Sequence, residues 1–421
     1  MLVQGKSVAT TVAGLLVLAG TQFAAAETTL TIESWRSDDA AIWNDVILPA
    51  FMKAHPDIKV VFSPTVAAQF NSALNAKLEG GTAGDLITCR PFDISLNLYN
   101  KGYLASLNDL PGIQNFSAQS RGAWSTDDGS VTYCVPMAST ILGFIYNADI
   151  FNELGLKAPT TMDEFHAVLE AVKTNGEYAP LAFGLGDAWV TPLLAFHNMA
   201  ANYFGGEEGR QAILEGKAKL TDAPFVKLLT EVERWKNYLA DGAEVQKNAD
   251  SRQLFLLERA AIYPSGSWDI APLTKEATFA LGAFRAPVQA AGDKCYINDH
   301  TDIGIGMNAK SPNAAQARTF LDWIASAEFA ALYGNALPGF FPLNSTPVPA
   351  ENELVSTFAS WRQECGSTIR FSYQYLSRGE PTLENDISRV TNLMMRGQMT
   401  PDAAAAEMQG GLDKWYKPRN Q

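Results

Sequence analysis

Aromatic side chains next to carboxylates and guanidiniums recur along this chain, and the clearest case is Trp268 beside Asp269. The strand-like run 261–263 leads into residues 264–267 (PSGS), which predict a turn that presents Trp268. A pyranose ring has an apolar C–H face that can stack on an indole, and vicinal hydroxyls that a planar carboxylate can hold through two hydrogen bonds. The pair therefore predicts a sugar platform, although a single tryptophan taken alone is more typical of a buried core.

Similar residues follow other predicted strands. Ligands of open α/β sheets bind beyond the carboxyl ends of the strands, so the residues directly after a strand are candidates for a binding site. An isolated Arg–Asp pair is usually solvated and a single histidine is usually structural, but their recurrence favours a common cleft. The candidates are Trp35, Arg36 and Asp38 after strand 29–34, Arg90 and Asp93 after strand 85–89, Trp189 after strand 181–185, and His300 and Asp302 near the start of a later strand.

Motifs of the common enzyme classes are missing from the sequence. It contains no G-x-S-x-G elbow, no Walker loop and no H-E-x-x-H zinc motif. Residues 304–309 match G-x-G-x-x-A, but they fall inside an apolar strand-like run, so no dinucleotide site is predicted. The histidines have no metal-binding spacing, and no cofactor is expected. Aspartates at positions 38, 93, 269 and 302 leave open a glycosidase that uses two cleft carboxylates.

The first 26 residues have the pattern of a secretory signal peptide. Lys6 precedes an apolar run over residues 8–18, and Ala24-Ala25-Ala26 supplies a cleavage site. We expect cleavage after Ala26 and a mature protein in an exported compartment. No other apolar stretch approaches the roughly 20 residues that a membrane-spanning helix needs.

Composition and charge narrow the class of protein. The 421 residues are 47% hydrophobic, which suits two or three packed domains. The formal net charge is −13, or −14 without Lys6, so the surface repels phosphate backbones and anionic lipids. We therefore expect no nucleic-acid partner and no membrane-surface partner. The chain has four cysteines, Cys89, Cys134, Cys295 and Cys365. They could form one or two disulfides, with three possible connectivities, or remain as buried thiols.

Short apolar strands alternate with helical periodicity through most of the chain, which is the pattern of an α/β fold. The first predicted elements are strand 29–34, helix 39–54, strand 58–62, helix 69–78 and strand 85–89. They form two successive β-α-β units. No flexible linker divides the chain, so two domains would have to be joined by several short crossings.

Four segments of the chain carry a family resemblance. They are residues 49–60 (PAFMKAHPDIKV), residues 102–109 (GYLASLND), residues 145–151 (IYNADIF) continuing to the capping box at 160–165 (TTMDEF), and residues 266–269 (GSWD). With these segments in this order, the chain resembles family 1 extracellular solute-binding proteins, the periplasmic receptors of carbohydrate-uptake ABC importers. The resemblance covers the whole mature length.

The resemblance implies a two-lobed periplasmic-binding-protein fold of type II, similar to maltose-binding protein. Lobe 1 is expected over residues 27–136 plus 288–342 and lobe 2 over residues 137–287 plus 343–421, with a hinge near residues 134–137. The ligand would bind between the lobes. The residues expected to line this cleft are Trp35, Arg36, Asp38, Gln69, Arg90, Asp93, Trp189, Trp268, Asp269, His300 and Asp302.

The function that the resemblance implies is sugar binding and delivery to the membrane permease subunits of an importer, by a monomer that is not an enzyme. We favour a neutral mono- or disaccharide, because several aspartates near Arg36 and Arg90 would neutralise them. An acidic or phosphorylated sugar, a secreted glycosidase and a chemotaxis receptor stay open. The sequence does not identify the sugar, its length or its anomer.

Overall fold

The computed structural model describes residues 1, 2, 5 and 27–418 of the chain. The predicted signal peptide therefore lies outside the described residues except for three positions. Within the described residues, no helix has the length and apolar character needed to cross a membrane.

The strands belong to one ten-stranded sheet within the described part of the chain. They are β1 Thr28–Ser34, β2 Ile58–Pro64, β3 Leu86–Cys89, β4 Val135–Asn147, β5 Ala179–Leu181, β6 Ala260–Gly266, β7 Leu281–Phe284, β8 Tyr296–Met307, β9 Phe341–Pro342 and β10 Gly366–Thr368. The main path of the sheet is β2-β1-β3-β8-β4-β6-β5. Parallel pairing of β1 with β2 and with β3 gives the two β-α-β units that the sequence predicts.

Helices cover the sheet along its whole length. They are α1 Ala40–Ile42, α2 Leu48–Ala54, α3 Ala67–Glu79, α4 Asp93–Asn100, α5 Ala118–Gly122, α6 Ala148–Glu153, α7 Met162–Asn175, α8 Asn198–Phe204, α9 Gly206–Leu214, α10 Ala223–Arg234, α11 Asn248–Leu256, α12 Ile270–Glu276, α13 Ala314–Ile324, α14 Ala327–Ala336, α15 Glu353–Glu364, α16 Leu383–Met395 and α17 Pro401–Leu412. A π-helical turn, Trp43–Ile47, joins α1 to α2, and a second, Thr191–His197, precedes α8. The predicted capping box at Thr161 starts α7.

Two large apolar cores each include residues of β4, and a smaller third core contains Ile141, Ile145 and Ile297. The first core contains buried residues from 30–138 and 303–340, and the second core contains buried residues from 142–286 and 371–412. The first part of β4 pairs with β8, whereas Leu142–Tyr146 pairs with β6. β4 therefore passes from the first core into the second within one strand.

The end of β6 differs from the sequence prediction. The strand continues through Pro264, which pairs with Phe144 of β4, and the chain turns only at Ser267–Asp269. On the other side of β6, β5 pairs up to Ile262. Because proline has no N–H, this second ladder does not extend to Pro264, so the proline ends one pairing without ending the strand.

Two further strand predictions are wrong in position. The predicted strand 181–185 is β5, which ends at Leu181. Residues 298–302 lie in the middle of β8 and not near its start. The pairing with β4 shifts register at Asp302, between Thr301 and Ile303. Arg370 nevertheless contacts both His300 and Asp302.

Both disulfides form between cysteines that are distant in sequence. Cys89 at the end of β3 is bonded to Cys134 just before β4, and Cys295 just before β8 is bonded to Cys365 just before β10. No free cysteine is present among the described residues. The first disulfide fixes the end of β3, and hence Arg90, against the start of β4.

Candidate ligand site

Trp35 and Arg90 meet at the carboxyl ends of β1 and β3. Trp35 is buried, and its ring packs against Phe70 with centroids 5.6 Å apart. The Arg90 guanidinium lies 4.5 Å from the centroid of the Trp35 ring. Arg90 Nε donates to Asn71 Oδ1 at 3.3 Å and Nη2 donates to the Ala67 carbonyl at 3.4 Å. Trp35 therefore holds Arg90 in place and does not offer that ring face to a ligand.

Arg36 is paired with Asp39, not with the predicted Asp38. Its Nε and Nη2 donate to the two Asp39 carboxylate oxygens at 2.5 and 2.7 Å, and its guanidinium lies 4.7 Å from the Phe340 centroid. Burial disfavours the charged guanidinium, but hydrogen bonds and charge from Asp39 outweigh burial and raise the pKa of Arg36. Asp38 is exposed.

His300 lies in an aromatic environment beneath the site. It is buried, with ring centroids 4.8 Å from Tyr373 and 5.8 Å from Phe92. Its Nδ1 accepts a hydrogen bond from the Arg370 backbone N–H at 3.4 Å, while Nε2 is buried without a hydrogen-bond partner. Burial, followed by the charge of Arg370, lowers the pKa of His300 well below its ordinary value, so the ring is neutral at pH 7.

Phe92 is held in an unusual backbone conformation. Its φ is 60°, which is strained for a bulky non-glycine residue. The Phe92 N–H donates to the Ala123 carbonyl at 2.7 Å, and its ring also lies 6.1 Å from Tyr373. These contacts keep the ring against His300.

Asp302 brings three arginines into one cluster. Arg370 Nη2 donates to Asp302 Oδ1 at 3.5 Å, and Nη1 donates to the Tyr373 hydroxyl at 3.2 Å. The negative charge of Asp302 also favours the charged forms of Arg36 and Arg90. We call Arg36, Arg90 and Arg370 around Asp302 the arginine cluster.

The sequence analysis missed Arg370, Tyr373 and Phe92. Arg370 and Tyr373 follow β10, which has three residues and pairs with β8. A strand of three residues is too short to show an alternating pattern, so the sequence does not predict β10. Without a predicted strand, the residues that follow it could not be identified as site candidates. Phe92 stands between two of the predicted site residues, and its aromatic type was the available signal.

Trp268 occupies the boundary between the two cores. Its half-buried ring packs against both the first and the second core. The ring also covers Gly266, where a Cβ atom would lie 2.0 Å from a ring carbon. The glycine therefore leaves the space that the indole occupies.

Asp269 belongs to a separate buried network. It accepts hydrogen bonds from Ser265 Oγ at 2.5 Å, from the Tyr263 hydroxyl at 3.1 Å and from Arg252 Nη1 at 3.5 Å. Burial raises the pKa of Asp269 despite these donors. Its side chain makes no capping hydrogen bond at the start of α12.

The remaining predicted residues, Asp93, Gln69 and Trp189, differ in their contacts and exposure. Asp93 Oδ1 accepts a hydrogen bond from Arg378 Nε at 2.7 Å. Gln69 is exposed on α3, and Trp189 is 42% exposed before the second π-helical turn. The four aspartates considered for a glycosidase thus have four different surroundings.

A cavity of about 640 Å³ adjoins the arginine cluster, and Phe92, which packs against His300, is part of its lining. Asp299 and Thr301 line it together with Ser139, and Arg362 binds Asp299 at 2.7 and 2.8 Å. Strand alternation directs Asp299 and Thr301 away from the side chain of His300. We place the ligand site on the His300 face because the arginine cluster lies there.

The arrangement suits hydrogen bonding to a polar ligand. Planar guanidiniums and a carboxylate can bind vicinal hydroxyls or an anionic group, and the aromatic rings can cover an apolar face. No group of three or more His, Cys, Asp or Glu side chains within the described ranges is placed to hold a metal ion.

Known proteins match the chain at the levels of family and fold. A family model described as bacterial extracellular solute-binding protein matches residues 34–331. The multiple sugar-binding protein of Streptococcus mutans is 24% identical over 311 residues, which cover 72% of this chain and 70% of that protein. The structure of the bacterial solute receptor AcbH, which prefers β-D-galactopyranose, matches with a TM-score of 0.80 at 19% sequence identity. The match covers 93% of this chain and 100% of the AcbH chain.

A chitin oligosaccharide binding protein has a TM-score of 0.78 at 20% identity, over 92% of this chain and 98% of its own. Identities this low establish the fold alone. The two-lobed α/β fold similar to maltose-binding protein, predicted from the sequence, is confirmed.

Proposed function

We propose a transport function for this chain, which belongs to the family of bacterial extracellular solute-binding proteins. In this proposal the protein binds a mono- or disaccharide between its lobes and delivers it to the membrane permease subunits of an ABC importer. A secreted or periplasmic location follows from the family. We further propose the periplasm, cleavage after Ala26 and a monomeric receptor.

One observation supports the cleft most strongly: the arginine cluster draws on both cores. Arg36 and Arg90 follow strands of the first core. In the segment that carries Arg370, Tyr373 packs against the first core and Phe371 belongs to the second. A ligand held by these side chains would contact both lobes, as a closing receptor requires.

We propose residues 27–136 plus 288–342 as lobe 1, residues 137–287 plus 343–421 as lobe 2, and residues 134–137 as part of the hinge. The distribution of the two cores along the chain supports this division. The pairing of β4 with β8 also shifts register between Pro136 and Ser139. Irregular pairing of this kind is a place where a strand can bend.

The proposed mechanism is a shift between open and closed forms. A ligand moves this equilibrium only by the difference between its affinities for the two forms. Trp268, placed between the cores, would contribute stacking of about 0.5–1.5 kcal/mol to the closed form. The permease subunits would then recognise the closed form.

The size and charge of the sugar stay predictions. The relatives named above include a binder of galactopyranose and a binder of chitin oligosaccharides, so the family accepts ligands of different lengths. Those relatives are binding proteins and not enzymes, which favours a receptor over the glycosidase alternative.

The proposal is tested by thermal unfolding of the mature protein with a panel of neutral sugars, sugar acids, sugar phosphates and polyols. A ligand that binds the folded state raises the midpoint by mass action. We expect at least one sugar to raise it in a concentration-dependent manner. A panel without any stabilising sugar would overturn the proposal, and release of a chromogenic aglycone would support the glycosidase instead.

A further inference from the structure

We infer that the sugar carries an anionic group that binds Arg90. This inference rests on the proposed function, since it concerns the ligand of the same site. A carboxylate of a sugar acid and a phosphate of a sugar phosphate share the required chemistry.

The three arginines of the cluster differ in their partners. Arg36 has both oxygens of Asp39, and Arg370 has Asp302 at 3.5 Å. Among the described residues Arg90 takes part in no ion pair, and its hydrogen bonds go to the amide oxygen of Asn71 and the carbonyl of Ala67. Arg90 is therefore the guanidinium of the cluster that a carboxylate or phosphate of the ligand can pair with.

The aspartates that were expected to neutralise the arginines lie elsewhere. Asp93 binds Arg378, Asp269 belongs to the network with Ser265 and Tyr263, and Asp38 is exposed. Asp302 is the one member of that predicted set in the cluster. Asp39 pairs with Arg36 and Asp302 pairs with Arg370, so within the described residues Arg90 is the arginine of the cluster without an ion pair.

Arg90 lies among charges of both signs. Arg36 pairs with Asp39 and Arg370 pairs with Asp302, and the carboxylate of Glu384 also acts on Arg370. Burial lowers the pKa of Arg90, and the nearby positive charges of Arg370 and Arg36 lower it further against the opposing effects of Asp302 and Tyr373. The positive charges of Arg370 and Arg36 therefore disfavour the charged form of Arg90, whereas Asp302 and an ionised Tyr373 favour it.

Other titratable groups lie on the Arg370 side of the cluster. Glu384 accepts a hydrogen bond from Ser372 and lies 3.5 Å from His197 Nε2, so its carboxylate is already engaged. His300 is neutral at pH 7, and Tyr333 and Tyr373 have raised pKa values because they are buried. None of these groups supplies Arg90 with an anion.

Arg90 is pre-organised for such a partner. The Trp35 ring and the two hydrogen bonds fix the guanidinium plane, and Nη1 has no protein hydrogen-bond partner among the described residues. A guanidinium that is already held in place loses little conformational entropy on binding, and its planar geometry matches that of a carboxylate. Nearby, Arg370 Nε and His300 Nε2 are buried without hydrogen-bond partners.

The test is calorimetric titration of the mature protein with glucuronate and galacturonate, with the neutral parents glucose and galactose, and with glucose 6-phosphate. We expect at least one anionic sugar to bind ten times or more tightly than its parent. In Arg90→Gln this ratio should fall close to one. Arg318→Gln is the matched control, because Arg318 pairs with Asp109 on the surface, and its ratio should match that of the wild type.

The outcomes separate the two levels of the proposal. Preference for a uronate assigns the anion as a carboxylate, and preference for the 6-phosphate assigns it as a phosphate. A neutral sugar that binds as tightly as its anionic relatives, or an Arg90→Gln variant that folds and keeps the preference, overturns the anion and leaves the transport function intact. Absence of binding by every sugar, in this set and in the thermal panel, overturns the transport function itself.

Discussion

Arg36, Arg90 and Arg370 are partly buried, and the positive charge of each is compensated differently. Asp39 satisfies Arg36 through two hydrogen bonds, whereas Arg370 shares Asp302 and stacks on Tyr373 with 5.6 Å between guanidinium and ring centroid. Arg90 has an aromatic face and two neutral oxygens. The pairing of each arginine with a carboxylate depends on tertiary contacts. The residue types could therefore be predicted from the sequence, but the ion pairs could not.

Replacing Trp268 tests the sugar platform. We expect Trp268→Ala to weaken sugar binding by about tenfold or more, which corresponds to ~1.4 kcal/mol, because stacking and apolar burial are lost. Calorimetry gives the affinity and thermal unfolding gives the stability. Trp415→Ala is the control, since Trp415 is also half-buried but packs against the second core alone. Equal affinities of wild type and Trp268→Ala would identify Trp268 as a packing residue.

His300 should make stability depend on pH. Its pKa is lowered in the folded protein by burial and by the charges of Arg370 and His197, so the unfolded chain binds a proton more readily. Stability from this group is complete above the unfolded pKa near 6.5 and is lost as pH falls below it, by about 1.4 kcal/mol at pH 5.5. Urea unfolding at pH 5.5 and 7.5 should show a smaller loss in His300→Gln than in the wild type. An equal loss in both proteins would contradict this prediction, and His55→Gln, outside the site, should retain the full loss.

At the scale of elements, predictability followed the strength of the local pattern. β1, β2 and β3 have several apolar residues each, and their predicted bounds lie within two residues of the observed ones. The continuation of β6 through Pro264 depends on pairing with Phe144, a residue 120 positions away, which no local rule contains. The contribution of β10 to the site depends in the same way on its long-range pairing with β8.

The end of β6 positions Trp268, and the absence of a side chain at Gly266 leaves room for the indole ring. A methyl group at Gly266 would overlap the indole, so we expect Gly266→Ala to displace the ring and to weaken sugar binding as Trp268→Ala does. Gly410→Ala in α17 is the control, because no atom lies within 4 Å of the added methyl. That control should stabilise the protein by up to about 1 kcal/mol and leave affinity unchanged. Normal affinity in a folded Gly266→Ala variant would argue against this role for the glycine.

At the scale of the whole molecule, contacts outside the arginine cluster also connect the two proposed lobes. Arg378 lies in the segment between Leu376 and Leu383 of the second core. It donates to Asp127 at 2.7 and 2.8 Å and to Asp93 at 2.7 Å, and both carboxylates belong to the proposed lobe 1. The chain crosses between the proposed lobes within β4, before β8 and after β9. The free energy of closure therefore depends on contacts such as these and on the ligand.

Removing Arg378 should therefore shift the equilibrium towards the open form. Partly exposed ion pairs contribute little each, so with two carboxylates released we expect Arg378→Gln to cost about 1 kcal/mol of closure and to weaken sugar affinity about fivefold. Arg389→Gln is the matched control, because Arg389 also contacts two carboxylates, Asp386 and Glu407, but both lie within the proposed lobe 2. Small-angle scattering should show a larger radius of gyration for ligand-free Arg378→Gln than for wild type and control. Equal effects of the two substitutions on affinity and size would mean that Arg378 stabilises the fold in general and does not act on closure.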